Sequence, residues 1–294
     1  MRVLMMFHYG LVFCGALILA ASASPGYASD GNVLELHTRS RTDTGSVERV
    51  VRWDPLRTVI IVCDMWDQNW CKGATTRALT MVPSMNQVLD AARNAGITII
   101  HAPSETMAFY RDAPGRKLVQ SAPPVRTPFP IPSWINPDTA REAPYPIDDS
   151  DGGCNDTPRC TQGRPWTRQV STLKIMDGDG ISDDGQEIYS FLRQRGITNV
   201  VLMGVHLNFC VLGRSFGVRA QTHLGMNVVL ARDLTQALYN HRMPPHVSLT
   251  QADSLMVAHI ERYWAPSIPS DDLLKTVNGV APTDSTRTQK RMER

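Results

Sequence analysis

Four short runs constrain this chain more than any other feature. Thr58-Val59-Ile60-Ile61-Val62-Cys63, Ile97-Thr98-Ile99-Ile100, Asn199-Val200-Val201-Leu202-Met203-Gly204-Val205 and Asn227-Val228-Val229-Leu230-Ala231 are almost wholly apolar and rich in β-branched residues. A run with no polar face suits a strand covered on both sides. Amphipathic stretches lie between and after them. Leu79, Val82, Met85, Leu89 and Ala92 recur at three- and four-residue steps, and Gly96 ends that helix. Asp183 to Arg195 turns Ile188, Phe191 and Leu192 inward and stops at Gly196. Cys210 to His223 reads as a helix ended by Gly225, and Gln251 to Trp264 as the last helix. Repeated strand–helix–strand order predicts an α/β fold: a Rossmann-like three-layer sandwich, mostly parallel, with helices on both faces. Val170 to Ile175 is expected to add a strand. Val33–His37 and Val47–Trp53 alternate and read as a hairpin over the domain edge.

With 294 residues, 42% of them hydrophobic, the chain can build one large core. We place the main domain at 30–270, with an insertion at 103–165 and a polar C-terminal tail at 271–294. Eight prolines between Pro123 and Pro146 crowd the insertion and leave no helical or strand period. Long excursions of this kind tend to be lids or ordered functional loops. The net charge of +2 and the scattered Lys and Arg give no footprint for nucleic acid or for a membrane surface.

Residues 1–28 have the layout of a secretory signal: Arg2, an apolar stretch from Leu11 to Ala23, then small residues at Ala21-Ser22-Ala23 and Gly26-Tyr27-Ala28. The apolar run is short for a membrane span, although an uncleaved anchor is the rival reading. The expected location is the periplasm or the exterior, with no stable membrane insertion after cleavage. Export leaves Cys63, Cys71, Cys154, Cys160 and Cys210, an odd number. Cys154 and Cys160 bracket a short polar loop and are expected to form a local disulfide. A zinc site there is weakly supported, since only two cysteines and no histidine sit in that stretch. Cys63 reads as a core thiol, and Cys71 could pair with it or stay free. Asp148, Asp149, Asp151 and Asp156 read as a solvated acidic turn and do not fit a calcium loop.

In a parallel sheet, ligands bind at the carboxyl ends of the strands. That rule selects Asp64 after the first strand, Lys174 near the end of the expected third, and Cys210 after the fourth. A helix N-terminus and a nearby lysine lower a thiol pKa, and a carboxylate can shuttle its proton. Gly204-Val205-His206-Leu207-Asn208-Phe209-Cys210-Val211-Leu212 resembles the nucleophile segment of the isochorismatase-like hydrolases, which include nicotinamidases and N-carbamoyl amide hydrolases. The order strand–Asp, strand–Lys, strand–Gly-Val-x-x-x-x-Cys matches that superfamily's triad. Cys63-Asp64-Met65-Trp66-Asp67, His101-Ala102-Pro103-Ser104, Ile181 to Ile188 and Cys210 to Arg214 look like a secreted bacterial branch.

The resemblance implies that Cys210 attacks a carbonyl carbon, that Asp64 is general base and then acid, and that Lys174 steadies both. It implies an oxyanion hole from the backbone N–H groups of His206 and Cys210, with a cis peptide before His206. Trp66, Trp70, Asn208 and Phe209 are expected to flank a small-molecule substrate. No cofactor and no obligatory metal is expected, since Pro103-Ser104-Glu105-Thr106-Met107 stands where metal-binding nicotinamidases carry Asp-x-His; His101 reads as a strand-end histidine, with a ligand role as the alternative. The expected reaction is hydrolysis of a C–N bond in a small amide through a thioester. Two alternatives stay open: a secreted binding or scaffold protein that kept the fold, and an isochorismate-type vinyl-ether hydrolase. A homo-oligomer is open as well.

Overall fold

A computed structural model describes residues 32–275 and 277–278 of the chain. The signal segment expected at 1–28 lies outside the described residues, as does most of the tail. The elements run in the order β1 (Asn32–Thr42), β2 (Gly45–Trp53), β3 (Thr58–Cys63), α1 (Lys72–Thr80), α2 (Val82–Asn94), β4 (Thr98–Ala102), α3 (Pro114–Gln120), β5 (Gly180–Ile181), α4 (Gly185–Gln194), β6 (Asn199–Val205), α5 (Val218–His223), β7 (Asn227–Gln236), α6 (Leu249–Tyr263), β8 (Ser267–Ile268) and β9 (Val277–Asn278).

The sheet order is β2-β1-β8-β7-β6-β3-β4-β5, with β9 paired to β1. From β8 through β5 every pairing is parallel. The β1–β2 hairpin joins antiparallel at the β8 edge. The fold is therefore the mostly parallel α/β sandwich that the apolar runs predict. Successive residues of the central strands face opposite layers. Val59, Ile61, Ile100, Val200 and Leu202 face α4, α5 and α6. Ile60, Val62, Ile99, Val201 and Met203 face α1 and α2. Every residue of β3 and β6 is buried, which is why their sequences carry no polar face.

Two helix ends follow local rules. Asp184 accepts the Glu187 N–H at the start of α4, and Ser248 and Gln251 form a reciprocal cap at the start of α6.

Three expectations change. Val170–Ile175 is not a strand: only Val170 and Leu173 turn inward, and the stretch runs outside the sheet along α2. The edge position beside β4 goes to Gly180–Ile181, where a Cβ on Gly180 would press into the Val119 side chain. The helix expected from Cys210 to His223 is broken. A wide π turn covers Leu207–Val211, and α5 begins only at Val218. The insertion carries one regular element, α3, opened by Pro114 at its first position. The packed structure also continues past residue 270: Leu273 is buried against the α2 side of the sheet, in the turn Ser270–Leu274.

Candidate active site

The strand order reverses between β3 and β6. From β3 the chain leaves through α1 and α2 to reach β4 on one side; β6 is reached through α4 on the opposite face and pairs on the other side. Such a switch point opens a crevice beyond the carboxyl ends of the two strands. Asp64 follows β3 there, and the Val205–Cys210 segment follows β6. The close approach depends on Gly204. Its φ is +111°, and a Cβ would overlap the Cys63 carbonyl. The Val205–His206 peptide is cis.

Asp64 is fully buried with φ +46°, a left-handed conformation that costs a non-glycine residue free energy and is held by its surroundings. Its backbone N–H donates to the Ala102 carbonyl at 3.2 Å. The Ser104 N–H donates to Oδ1 at 2.7 Å, and Arg214 Nε donates to Oδ2 at 3.1 Å. Cys210 stands beside the same carboxyl group, near enough for the two to influence each other's ionisation. Burial raises the Asp64 carboxyl above its usual range, against the opposing pull of Arg214, Cys210 and Ser104. Burial and then the Asp64 charge push the Cys210 thiol well up, with Arg214 opposing. Sequence reasoning expects a lowered thiol at a helix N-terminus. The π turn puts Cys210 inside the turn instead, in a nearly closed site, where desolvation dominates.

The structure places Lys174 on the surface beside α2, and neither Asp64 nor Cys210 is among its hydrogen-bond or ion-pair partners. Its side chain is 58% exposed, with Nζ 4.0 Å from Asp90 on α2. Its N–H donates to Asn86 Oδ1, and its carbonyl accepts from Arg93. The cation beside Asp64 is Arg214, four residues after Cys210 and outside the set expected from sequence. Asp64 and Cys210 outweigh burial and raise the Arg214 guanidinium, so it stays charged. One signal was available. Within a helical or π segment, residues four apart share a face, and Cys210-Val211-Leu212-Gly213-Arg214 has that spacing.

The insertion roofs the site. Trp134 pairs with Arg214 across a bridge, the Ile135 N–H donates to the Gly213 carbonyl at 2.6 Å, and a Cβ on Gly213 would overlap Trp134. Trp66 stacks on Trp166 at 4.5 Å and donates its Nε1–H to the Ser104 carbonyl. The Arg214 guanidinium lies 5.9 Å from the Trp66 ring and 5.8 Å from the Trp134 ring. Glu105, with φ +65°, accepts from Arg214 at 3.4 Å and from Arg164 at 3.0 Å, closing the rim with charge.

The other expected pocket residues divide. Trp66 is at the site. Phe209 is half-buried between the main core and the Cys71–Cys154 cluster. Trp70 packs on that cluster with Arg159 over its ring. Asn208 is structural: Nδ2 donates to Asp149 Oδ2 at 2.8 Å and to the Leu238 carbonyl, and Oδ1 accepts the Leu238 N–H. The His206 imidazole is buried, and burial beside Arg77 lowers its pKa to about 3, so it stays neutral. His101 is also structural, bonded to Gln169 and to Asp179.

The expected Cys154–Cys160 disulfide is replaced by Cys71–Cys154, with a Cα–Cα distance of 5.5 Å and a sequence separation of 83. Cys71 caps α1 directly against the loop, a proximity that sequence spacing does not reveal. Cys160 and Cys210 are free, and Cys63 donates from its thiol to the Val205 carbonyl. Among the described residues no helix is long and apolar enough to cross a membrane.

No family model and no curated protein matches the chain. Among solved structures it is similar to a cysteine hydrolase from Pseudomonas syringae pv. phaseolicola 1448A, at 17% identity over 77% of this chain and 95% of that one, with a TM-score of 0.47. It is similar to an isochorismatase from Pseudomonas putida KT2440, at 15% identity over 74% and 91%, with a TM-score of 0.44. It is also similar to the pyrazinamidase of Pyrococcus horikoshii, solved in complex with zinc, at 17% identity over 69% and 96%, with a TM-score of 0.37. What Asp64, Cys210 and Arg214 can do rests on their own geometry.

Proposed function

We propose that this protein hydrolyses a C–N bond of a small amide through a thioester on Cys210, after export to the periplasm or the exterior. One observation carries the reading. A buried thiol lies beside a buried carboxylate whose two oxygens are held by Ser104 and Arg214. A raised carboxyl is a better base at neutral pH than an ordinary one.

In the first half-reaction Cys210 Sγ bonds to the amide carbonyl carbon while its proton passes to Asp64. The developing oxyanion falls to the backbone N–H groups of His206 and Cys210, since donors aimed at new charge give a large catalytic contribution. The tetrahedral intermediate collapses, the C–N bond breaks, and Asp64 returns the proton to the leaving nitrogen. Water then attacks the thioester. Asp64 takes its proton, and the acid leaves as the thiol re-forms with that proton. Arg214 favours the ionised form of Asp64 against burial and binds it through the cycle. Trp66, Trp134 and Trp166 offer flat apolar surface to a substrate ring.

The test is ammonia or amine release from a panel of small primary amides and N-carbamoyl compounds, with intact-mass detection of an acyl adduct on Cys210. Turnover with an acyl adduct, lost in Cys210→Ala and in Asp64→Asn, is expected. Hydrolysis that survives Cys210→Ala would overturn the thioester route and favour vinyl-ether hydrolysis by protonation from Asp64. No turnover and no adduct from any amide would favour a binding protein.

A further inference from the structure

A second cluster of reactive side chains lies apart from Asp64 and Cys210. Cys71, Cys154, Asp156 and Cys160 bring three sulfurs and a carboxylate oxygen within 4.8 Å of one another. Sequence spacing showed only the Cys154–Cys160 pair; the fold adds Cys71 from the start of α1 and turns Asp156 inward. The Cys71–Cys154 bond uses two of these groups. It leaves unexplained why the other two are held against it. Cys160 Sγ accepts the Lys72 N–H at 3.4 Å and donates to Asp156 Oδ2 at 3.1 Å. Asp156 Oδ2 also accepts the Gly73 N–H at 2.8 Å and lies 3.7 Å from Cys71 Sγ. Gly73 leaves the room for this, because a Cβ there would overlap Asp156 Oδ1. A disulfide needs no third sulfur and no carboxylate beside it. A four-ligand metal site needs both.

We propose that Cys71, Cys154, Cys160 and Asp156 form a zinc site when the Cys71–Cys154 bond is reduced. Three thiolates and one carboxylate are a soft, four-fold donor set of the kind that selects Zn²⁺ in tetrahedral coordination. Opening the disulfide takes two electrons and two protons from a dithiol, which is itself oxidised to its disulfide. Zn²⁺ then displaces the three thiol protons, including the one between Cys160 and Asp156. The surroundings suit the negative charge that results. The N–H groups at the start of the nine-residue α1 point at the cluster, as the Lys72 and Gly73 bonds show. The cluster sits in the packing layer that Phe209 shares, and the loop that carries Cys154 also carries Asp149, the anchor of Asn208. Disulfide and metal thus exclude each other in a cluster that packs against Phe209, the residue before Cys210.

The test uses the full chain, reduced with a phosphine, freed of metal and titrated anaerobically with Co²⁺ and then Zn²⁺. One equivalent of Co²⁺ is expected to give tetrahedral d–d bands and a sulfur-to-cobalt charge-transfer band, both bleached by Zn²⁺. Cys160→Ser and Asp156→Asn should each weaken binding by more than the roughly 10–100-fold that changing a neighbour of a ligand costs. Cys210→Ala should leave the spectrum unchanged, and the unreduced chain should show none. An octahedral spectrum, or binding indifferent to Cys160→Ser and Asp156→Asn, would overturn the proposal. So would a reduced chain that binds no cobalt.

Discussion

Arg214→Met tests the electrostatic heart of the site, because it removes the guanidinium and keeps an apolar stem beside Trp66. The Nε–Oδ2 distance is 3.1 Å, with the Asp64 side chain fully buried and Arg214 16% exposed. Taking a charge separation of about 4 Å and an effective dielectric near 20, Coulomb's law gives about 4 kcal/mol. Breaking one side of a buried pair costs about 3–5 kcal/mol, in agreement. The carboxyl can escape that cost by protonating, which sets the pH dependence. Asp64 is raised in the folded chain, so the folded state binds its proton more tightly than the unfolded state does. Its contribution to stability is present below the unfolded carboxyl range and is lost as pH rises through the folded midpoint. Without Arg214 that midpoint moves further up, so the variant loses more stability on the way to neutral pH. Urea unfolding of both proteins from about pH 4 to 8 should show a gap that is small in acid and widens to about 3–5 kcal/mol at the alkaline end. A gap that stays flat across that range would refute a buried Asp64–Arg214 pair.

Three further outcomes follow from other contacts. Glu142 is buried among Arg219, His259 and Trp264, which outweigh desolvation and lower it to about 2. Its contribution is present above the unfolded carboxyl value and lost as pH falls through about 2, so Glu142→Gln should cost about 3–5 kcal/mol at neutral pH and flatten the acid limb of stability, measured by urea titration. Lys174→Met should leave both the melting temperature and any amide turnover unchanged, because Lys174 stands on the surface beside α2. Gly204→Ala should destabilise by about 3 kcal/mol or more in a thermal melt, through a strained φ and an overlap with the Cys63 carbonyl.

The strands were legible because burial on both faces demands apolar, β-branched runs, and Thr58–Cys63 and Asn199–Val205 coincide with β3 and β6. Chain order alone then placed Asp64 and Cys210 at the ends of those strands, and the strand-end rule brought them to one crevice. Val170–Ile175 was misread because four of its six residues do not pack inward, and its apparent alternation has no partner strand. That error carried Lys174 with it. Which cation meets Asp64, which sulfur meets Cys71 and whether a thiol is desolvated are contacts between segments far apart in sequence. Asp64 and Arg214 are 150 positions apart, and Cys71 and Cys154 are 83 apart. Periodicity reports only a residue's own face. The alternating apolar runs therefore determined the sheet and the ends of its strands, while Arg214, the Cys71–Cys154 bond and the raised thiol were decided by tertiary packing, because electrostatics and covalent pairing depend on distance in space.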